Sequence, residues 1–202
     1  MSVPRRSSVM DLKHFIRVYD DVLDKNTCRN AIKAYHDEVP DASQRWDQEG
    51  RPSFTTLNIT LEAEGKEHTA KPLWSKIHND MLIAVKAYSE KYMMEVGCGQ
   101  HWPPKNSLEQ IRLKHYEANN HDRFDYHVDV GDHDSARRFL VLFFYLNDVE
   151  EGGETYFQDI DFTVKPKEGR LLIFPPTWMF PHAGLKPVSN DKYIAGTYLH
   201  YT

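Results

Sequence analysis

"RRFLVLFFYLNDVEEGGETYF", residues 137–157, decides the fold class of this chain. From Phe139 to Leu146 every residue is aliphatic or aromatic, so neither face of the segment suits water. A run this short, rich in Val and Phe, reads as a strand covered on both sides. Gly152 and Gly153 then turn the chain into a second short strand, "ETYF". Further on, "DFTVKPKEGRLLIF" (161–174) reads as strand, Pro-Lys-Glu-Gly turn, strand. "DKYIAGTYLHY" (191–201) supplies another strand, and upstream "LEQIRLKHY" (108–116) alternates apolar with polar. Closely spaced short strands of this kind build a sandwich or barrel.

The first half has a different texture. "DKNTCRNAIKAYHDEV" (24–39) places Cys28, Ala31, Ile32 and Tyr35 at helical spacing, and Pro40 is expected to stop that helix. A second helix is expected from Pro72 to Gly97, with Leu73, Trp74, Ile77, Met81, Val85, Tyr88 and Tyr92 as its stripe. Between them "TLNITL" (56–61) reads as a strand, as does "HFIRVY" (14–19). The expected fold is mainly β with packed helices that support one sheet. One domain is expected over residues 1–202, with a loose tail at 1–10, a support region at 11–107 and a β core at 108–202.

Composition narrows the function. With 40% hydrophobic and 27% charged residues, the chain reads as globular rather than disordered. It has no apolar run of membrane-spanning length and no apolar core behind Arg5 and Arg6, so neither a membrane partner nor a secretory leader is expected. Two cysteines, Cys28 and Cys98, make no disulfide framework, and a cytoplasmic setting is expected. A net charge of −5 without a basic run argues against nucleic acid as a partner.

Eleven histidines remain to be placed, and "DYHVDVGDH" (125–133) concentrates two of them among three aspartates. On a strand His127 and Asp129 leave the same face about 7 Å apart, so one cation can take both. "HND" at 78–80 has the same spacing inside the second helix. There two residues turn through about 200°, so His78 and Asp80 diverge. HxD alone also fits a solvated turn, and a third ligand is needed. His182 in "FPHAG" opens a segment just after the "RLLIF" strand and is the best candidate. Two histidines and one carboxylate leave three coordination positions free, which suits non-haem Fe(II) with a chelating co-substrate and O₂. A 2-oxo acid chelated there points its distal carboxylate into the barrel, where a buried anion requires a cation. Lys192, on the last strand, follows His182 by ten residues.

The order "HVD…RRFLVLFFYLNDVEEGGETYF…VKPKEGRLLIF…HAGLKPVSNDK" resembles the prolyl 4-hydroxylase branch of the Fe(II)/2-oxoglutarate-dependent dioxygenases, over roughly residues 108–202. The resemblance implies a double-stranded β-helix (jelly-roll) core. It assigns iron to His127, Asp129 and His182, and the distal carboxylate of 2-oxoglutarate to Lys192. Tyr145 and Tyr116 are implied as co-substrate neighbours. Tyr116 shares its strand face with Arg112 and Lys114, so it points away if the apolar face of Ile111, Leu113 and His115 lines the cavity. The implied reaction is hydroxylation with release of succinate and CO₂, with ascorbate as a candidate reductant. A proline-containing peptide or protein is the expected substrate. The alternatives are a free amino acid, or a metal-binding jelly roll without turnover. Trp46, Trp102, Phe124, Tyr126 and Trp178 are candidates for the mouth, and residues 45–55 and 117–126 for lids. Arg137 and Arg138 are expected to face solvent.

Overall fold

In the computed structural model, which describes residues 11–47, 52–65 and 71–202, the 137–157 stretch becomes the centre of a β-sandwich. The strands are β1 (Arg17–Tyr19), β2 (Ser43–Asp47), β3 (Ser53–Asn58), β4 (Asn106–Leu108), β5 (Arg112–Tyr116) and β6 (Phe124–His127). They continue with β7 (Arg138–Tyr145), β8 (Thr155–Phe157), β9 (Phe162–Val164), β10 (Leu171–Phe174), β11 (His182–Gly184) and β12 (Lys192–Tyr201). The helices are α1 (Lys25–Ala42), α2 (Ile59–Glu64) and α3 (Pro72–Val96). The larger sheet runs β1-β10-β7-β12-β5-β3-β2, with β4 also on β12, and the smaller runs β6-β11-β8-β9. Every strand pair is antiparallel, and together the two sheets form the expected jelly roll.

Alternation along β7 explains why that strand is apolar throughout. Leu140, Leu142 and Phe144 enter the layer beneath the helices with Trp74, Ile77 and Met81, while Val141, Phe143 and Tyr145 enter the layer between the sheets. β10 divides the same way, with Leu171 and Ile173 on one side and Leu172 and Phe174 on the other. Side chains that alternate across a strand covered on both faces must all be apolar. Gly152 turns the chain after β7 at φ +77°, where a Cβ would collide with the Lys186 carbonyl oxygen. Only glycine fits that turn.

Four boundaries differ from the sequence expectation, the first being "LEQIRLKHY", where β4 ends at Leu108 and β5 begins at Arg112. α1 runs past Pro40 to Ala42, because a proline in the final turn removes one backbone bond without undoing those before it. "TLNITL" is split: β3 ends at Asn58, whose side chain accepts the Leu61 amide and starts α2. An N-cap of that kind stabilises a helix start by about 1 kcal/mol, which outweighs a three-residue alternation. In "HFIRVY" only Arg17–Tyr19 is strand, and Leu12–Phe15 is a 3₁₀ turn. α3 ends as expected at Gly97 in the left-handed conformation, although Leu73 of its expected stripe is 41% exposed. The expected tail at 1–10 lies outside the described residues. No described helix is long and apolar enough to cross a membrane.

Candidate metal and co-substrate site

His127 and His182 meet because β6 and β11 pair with these two residues directly opposite each other. Their ring centroids lie 4.5 Å apart. Asp129 is not on the strand, as its spacing suggested, but in the chain just beyond β6. There the Val130 amide donates to the Pro176 carbonyl at 3.2 Å and Arg138 Nη1 donates to the Asp129 carbonyl at 2.9 Å. These contacts turn the carboxylate back toward the histidines. Asp129 Oδ1 lies 3.7 Å from His127 Nε2, and Oδ2 lies 3.6 Å from His182 Nε2. Candidate ligand atoms of the three residues all lie within 4.8 Å of one another.

The protonation pattern suits a metal. His127 Nδ1 faces the Asp125 carbonyl at 2.7 Å, and His182 Nδ1 faces that of Phe180 at 3.2 Å. A carbonyl can only accept, so each proton sits on Nδ1 and each Nε2 presents a lone pair. Burial pushes the His182 pKa down to about 4, which keeps it neutral at physiological pH. Burial alone would raise the Asp129 carboxyl; nearby positive charge, from the imidazoles whenever they are protonated and from Lys114, pulls it well below the usual carboxylate range. Asp129 Oδ2 is buried without a hydrogen-bond partner. An ionised oxygen left unsatisfied in the interior is costly, and a cation coordinated there removes the cost. Metal–ligand bonds near 2.1 Å place two donors at most about 4.2 Å apart, so the 3.6 and 3.7 Å separations already fit. The residues fit Fe(II) in a two-histidine, one-carboxylate site. His78 behaves as its helical spacing demands: it faces Thr60, while Asp80 turns to Thr27 and Lys76.

Tyr198 completes the carboxylate's surroundings. Its hydroxyl donates to Asp129 Oδ1 at 2.8 Å, and burial, followed by Asp129, keeps it protonated. Tyr198→Phe should therefore weaken Fe(II) binding by about 10- to 100-fold, because groups behind a ligand fix its orientation. Isothermal titration with Fe(II) under anaerobic conditions measures this; unchanged affinity would show that Asp129 needs no such hold.

On the other side of the triad lies a narrow slot lined by Tyr116, Thr155, His182, Lys192 and Ile194. Lys192 is 1% exposed, and its ammonium lies 5.0 Å from the Tyr116 ring and 6.0 Å from the Tyr145 ring. Among the described residues no carboxylate reaches it at ion-pair distance. Burial lowers its pKa to about 7. Tyr145 does not line the slot itself; its hydroxyl pairs with Thr155 Oγ1 at 2.6 Å and so fixes a residue that does. Tyr116 does line it, because the polar face of β5 is the one turned to the cavity. Leu113 lies under the helices, and His115 bonds Tyr35 and Asp191 there. A jelly roll that holds charged ligands lines its interior with polar groups, so apolar character marked the wrong face of β5. The slot is narrow, about 20 Å³, and continuous with the space beside it.

The slot opens past Lys114, Phe124 and Phe143 into a cleft of about 550 Å³. Arg138 stands in that cleft rather than in solvent. It grips Glu109 with two bonds of 2.8 Å and stacks 4.0 Å from the centre of the Tyr198 ring. Of the candidate mouth aromatics, Trp46 and Phe124 line the cleft. Trp102 packs behind the sheet against Tyr92 and Phe139, and Tyr126 and Trp178 are exposed. The candidate lids are joined: Arg45 on β2 donates to both oxygens of the buried Asp122, at 2.6 and 2.8 Å. Residues 48–51 of the first lid lie outside the described residues. Lys114, Tyr198, Glu109 and Thr155 were not singled out as site residues in the sequence, although stepping by two along β5 and β12 from Tyr116 and Lys192 reaches the first two.

Two histidines and a carboxylate converging in a jelly roll beside a buried lysine are the arrangement that non-haem metal-dependent oxygenases use. Comparison with known proteins narrows this: residues 111–200 match the model of the 2OG-Fe(II) oxygenase superfamily. It is 33% identical to probable prolyl 4-hydroxylase 3 of Arabidopsis thaliana over 48% of this chain and 44% of the relative. It spans between 44% and 61% of the length of the curated relatives it matches. A viral collagen prolyl hydroxylase from Paramecium bursaria Chlorella virus-1, solved with 2OG, superposes with TM-score 0.69 at 19% identity, over 93% of this chain and 97% of that one. A prolyl hydroxylase from Trichoplax adhaerens, solved with a hypoxia inducible factor peptide fragment, superposes with TM-score 0.66 at 11% identity, over 93% and 84%.

Proposed function

We propose that this protein is an Fe(II)- and 2-oxoglutarate-dependent dioxygenase that hydroxylates a proline-containing peptide or protein. The observation that carries this reading is Lys192, a buried lysine with no carboxylate at ion-pair distance among the described residues, set beside a candidate metal-binding triad. A protein that only bound a metal would have no use for that cation, whose burial is costly until an anion joins it. His127, Asp129 and His182 would hold the metal from one side and leave its other positions to face the slot. Lys192 would receive the distal carboxylate of 2-oxoglutarate, with Thr155 held in place by Tyr145. Bound iron would supply C–H hydroxylation with O₂ as the oxidant and this co-substrate as the two-electron donor, one oxygen atom passing to the substrate and the other to succinate as CO₂ leaves. Phe143, Phe157 and Phe174 surround the His182 ring and keep water from it.

The cleft supports a peptide substrate. It is open, it is flanked by Trp46 and Phe124, and Arg138 offers donors beside the metal ligands. An extended segment with proline rings and backbone carbonyls suits aromatic walls and such donors. The solved neighbour that holds a peptide supports the same reading. The free thiols of Cys28 and Cys98 suit the proposed cytoplasmic setting. The test is incubation with Fe(II), 2-oxoglutarate and a panel of proline-rich peptides, read by mass spectrometry. A one-oxygen gain on proline with stoichiometric succinate is expected. Gain on free proline but on no peptide would replace this reading with a small-molecule hydroxylase.

A further inference from the structure

Three side chains of β5 face the cavity, and they take different places along it. Tyr116 sits at the inner end opposite Lys192, and Arg112 at the outer end opposite Gly196. Lys114 stands between them and lines both the slot and the cleft. Its ammonium lies 5.1 Å from the Phe54 ring centre, 5.5 Å from Phe124 and 5.6 Å from Phe143. Among the described residues no carboxylate lies within ion-pair distance of it. The neighbouring cations differ in this respect. Arg138 is neutralised by Glu109, and Arg112 leans on the same carboxylate at 3.4 Å.

Charge balance in the loaded site sharpens the contrast. A divalent metal and Lys192 carry three positive charges, which Asp129 and a dianionic 2-oxo acid cancel. Lys114 then remains as one positive charge in excess. Lys114 is partly buried, and aromatic faces stabilise its ammonium in part without replacing an anion. The missing charge lies where the substrate enters, at the junction between co-substrate slot and cleft.

We propose that Lys114 anchors a carboxylate of the substrate, so that this protein selects substrates bearing an anionic group close to the hydroxylated carbon. The inference rests on the oxygenase reading of the site and narrows its substrate class. Two sources share this chemistry: an acidic side chain beside the target residue, and the α-carboxylate of a C-terminal residue. Phe54, Phe124 and Phe143 flank the pair and lessen its contact with water, which strengthens it. A substrate with no anion there leaves Lys114 uncompensated and is selected against.

The test is binding without turnover, with Mn(II) in place of iron, 2-oxoglutarate present and oxygen absent. Three fluorescein-labelled peptides of one proline-containing sequence are compared by anisotropy. One carries Asp beside the proline and an amidated C-terminus. The second carries Asn there and is amidated. The third keeps Asn but ends at the proline with a free carboxylate. At least one carboxylate peptide should bind about tenfold tighter than the neutral one, and which one does so names the source. Lys114→Met should shrink that preference below about twofold, while Lys114→Arg should keep it. Peptide affinities are compared with each variant saturated with 2-oxoglutarate, saturation being read from the visible band of the anaerobic Fe(II) complex. Equal affinity of the parent protein for all three peptides would overturn the proposal. So would a Lys114→Met protein that loses 2-oxoglutarate affinity while its peptide preference stays intact. A carboxylate preference with no oxygen gain on any proline peptide would overturn prolyl hydroxylation and leave the Lys114 assignment standing.

Discussion

His127→Ala should bind Fe(II) more than about 100-fold more weakly than the parent protein, since even a group behind a ligand accounts for 10- to 100-fold. Hydroxylation should fall with it. The expectation follows from the site's economy of donors. Three side chains supply every candidate protein ligand among the described residues, and His182 with Asp129 alone would leave the metal held from two directions. His127 is the best of the three to remove. His182 is almost fully buried among Phe143, Phe157 and Phe174, so its truncation also opens a cavity in the core. His127 lies against the rings of Phe124, with centroids 3.5 Å apart, and His182, at 4.5 Å, and keeps part of its surface exposed. The measurement is an anaerobic titration of Fe(II) in the presence of 2-oxoglutarate, following the weak visible charge-transfer band. The parent should develop the band and the variant should not, while both unfold at similar temperatures. A variant that forms the band at the parent's iron concentration would remove His127 from the metal site.

The β core and the convergence of His127, Asp129 and His182 were legible in the sequence for one physical reason. A strand covered on both faces has no freedom to carry polar residues, so β7 and β10 announce themselves. The i, i+2 relation between His127 and Asp129 is likewise a local property. That the aspartate sits beyond the strand end altered the reason for their convergence but not the result. What failed to read correctly depends on which side of a sheet faces what. The two faces of β5 were visible from alternation, yet only the packing of α1, α2 and α3 shows that the polar one is interior. Tyr116, Lys114 and the role of Arg138 hang on that fact. Arg138 also shows why charge pairs are hard to foresee: its partner Glu109 lies 29 residues away, across the sheet. Asn58 was missed for the opposite reason, because a cap is local but weakly marked, and alternation through Leu57, Ile59 and Leu61 masked it.

Lys192→Met should raise the 2-oxoglutarate concentration needed for binding by about 100-fold, the usual consequence of truncating one side of a buried charge pair. Iron binding should persist, since the triad lies on other residues. The same substitution should make the ligand-free protein more resistant to heat, because an unpaired buried amine is replaced by an apolar chain of similar volume. pH separates this role from a packing role. Burial holds the Lys192 pKa near 7 against an ordinary 10.5, so between those values the folded, ligand-free protein binds fewer protons than the unfolded chain. Stability of the ligand-free protein therefore rises with pH across that window. Co-substrate affinity runs the other way. A carboxylate needs the ammonium form, so above about pH 7 binding takes up a proton and weakens by up to about tenfold per pH unit. Calorimetric titration of 2-oxoglutarate into the Mn(II) protein from pH 6 to 9, in buffers of different ionisation enthalpy, reads both the slope and the proton uptake. Lys192→Met should show neither. Loss of iron and co-substrate binding in equal measure, or a parent protein whose affinity ignores pH, would show that this lysine holds the fold rather than the ligand.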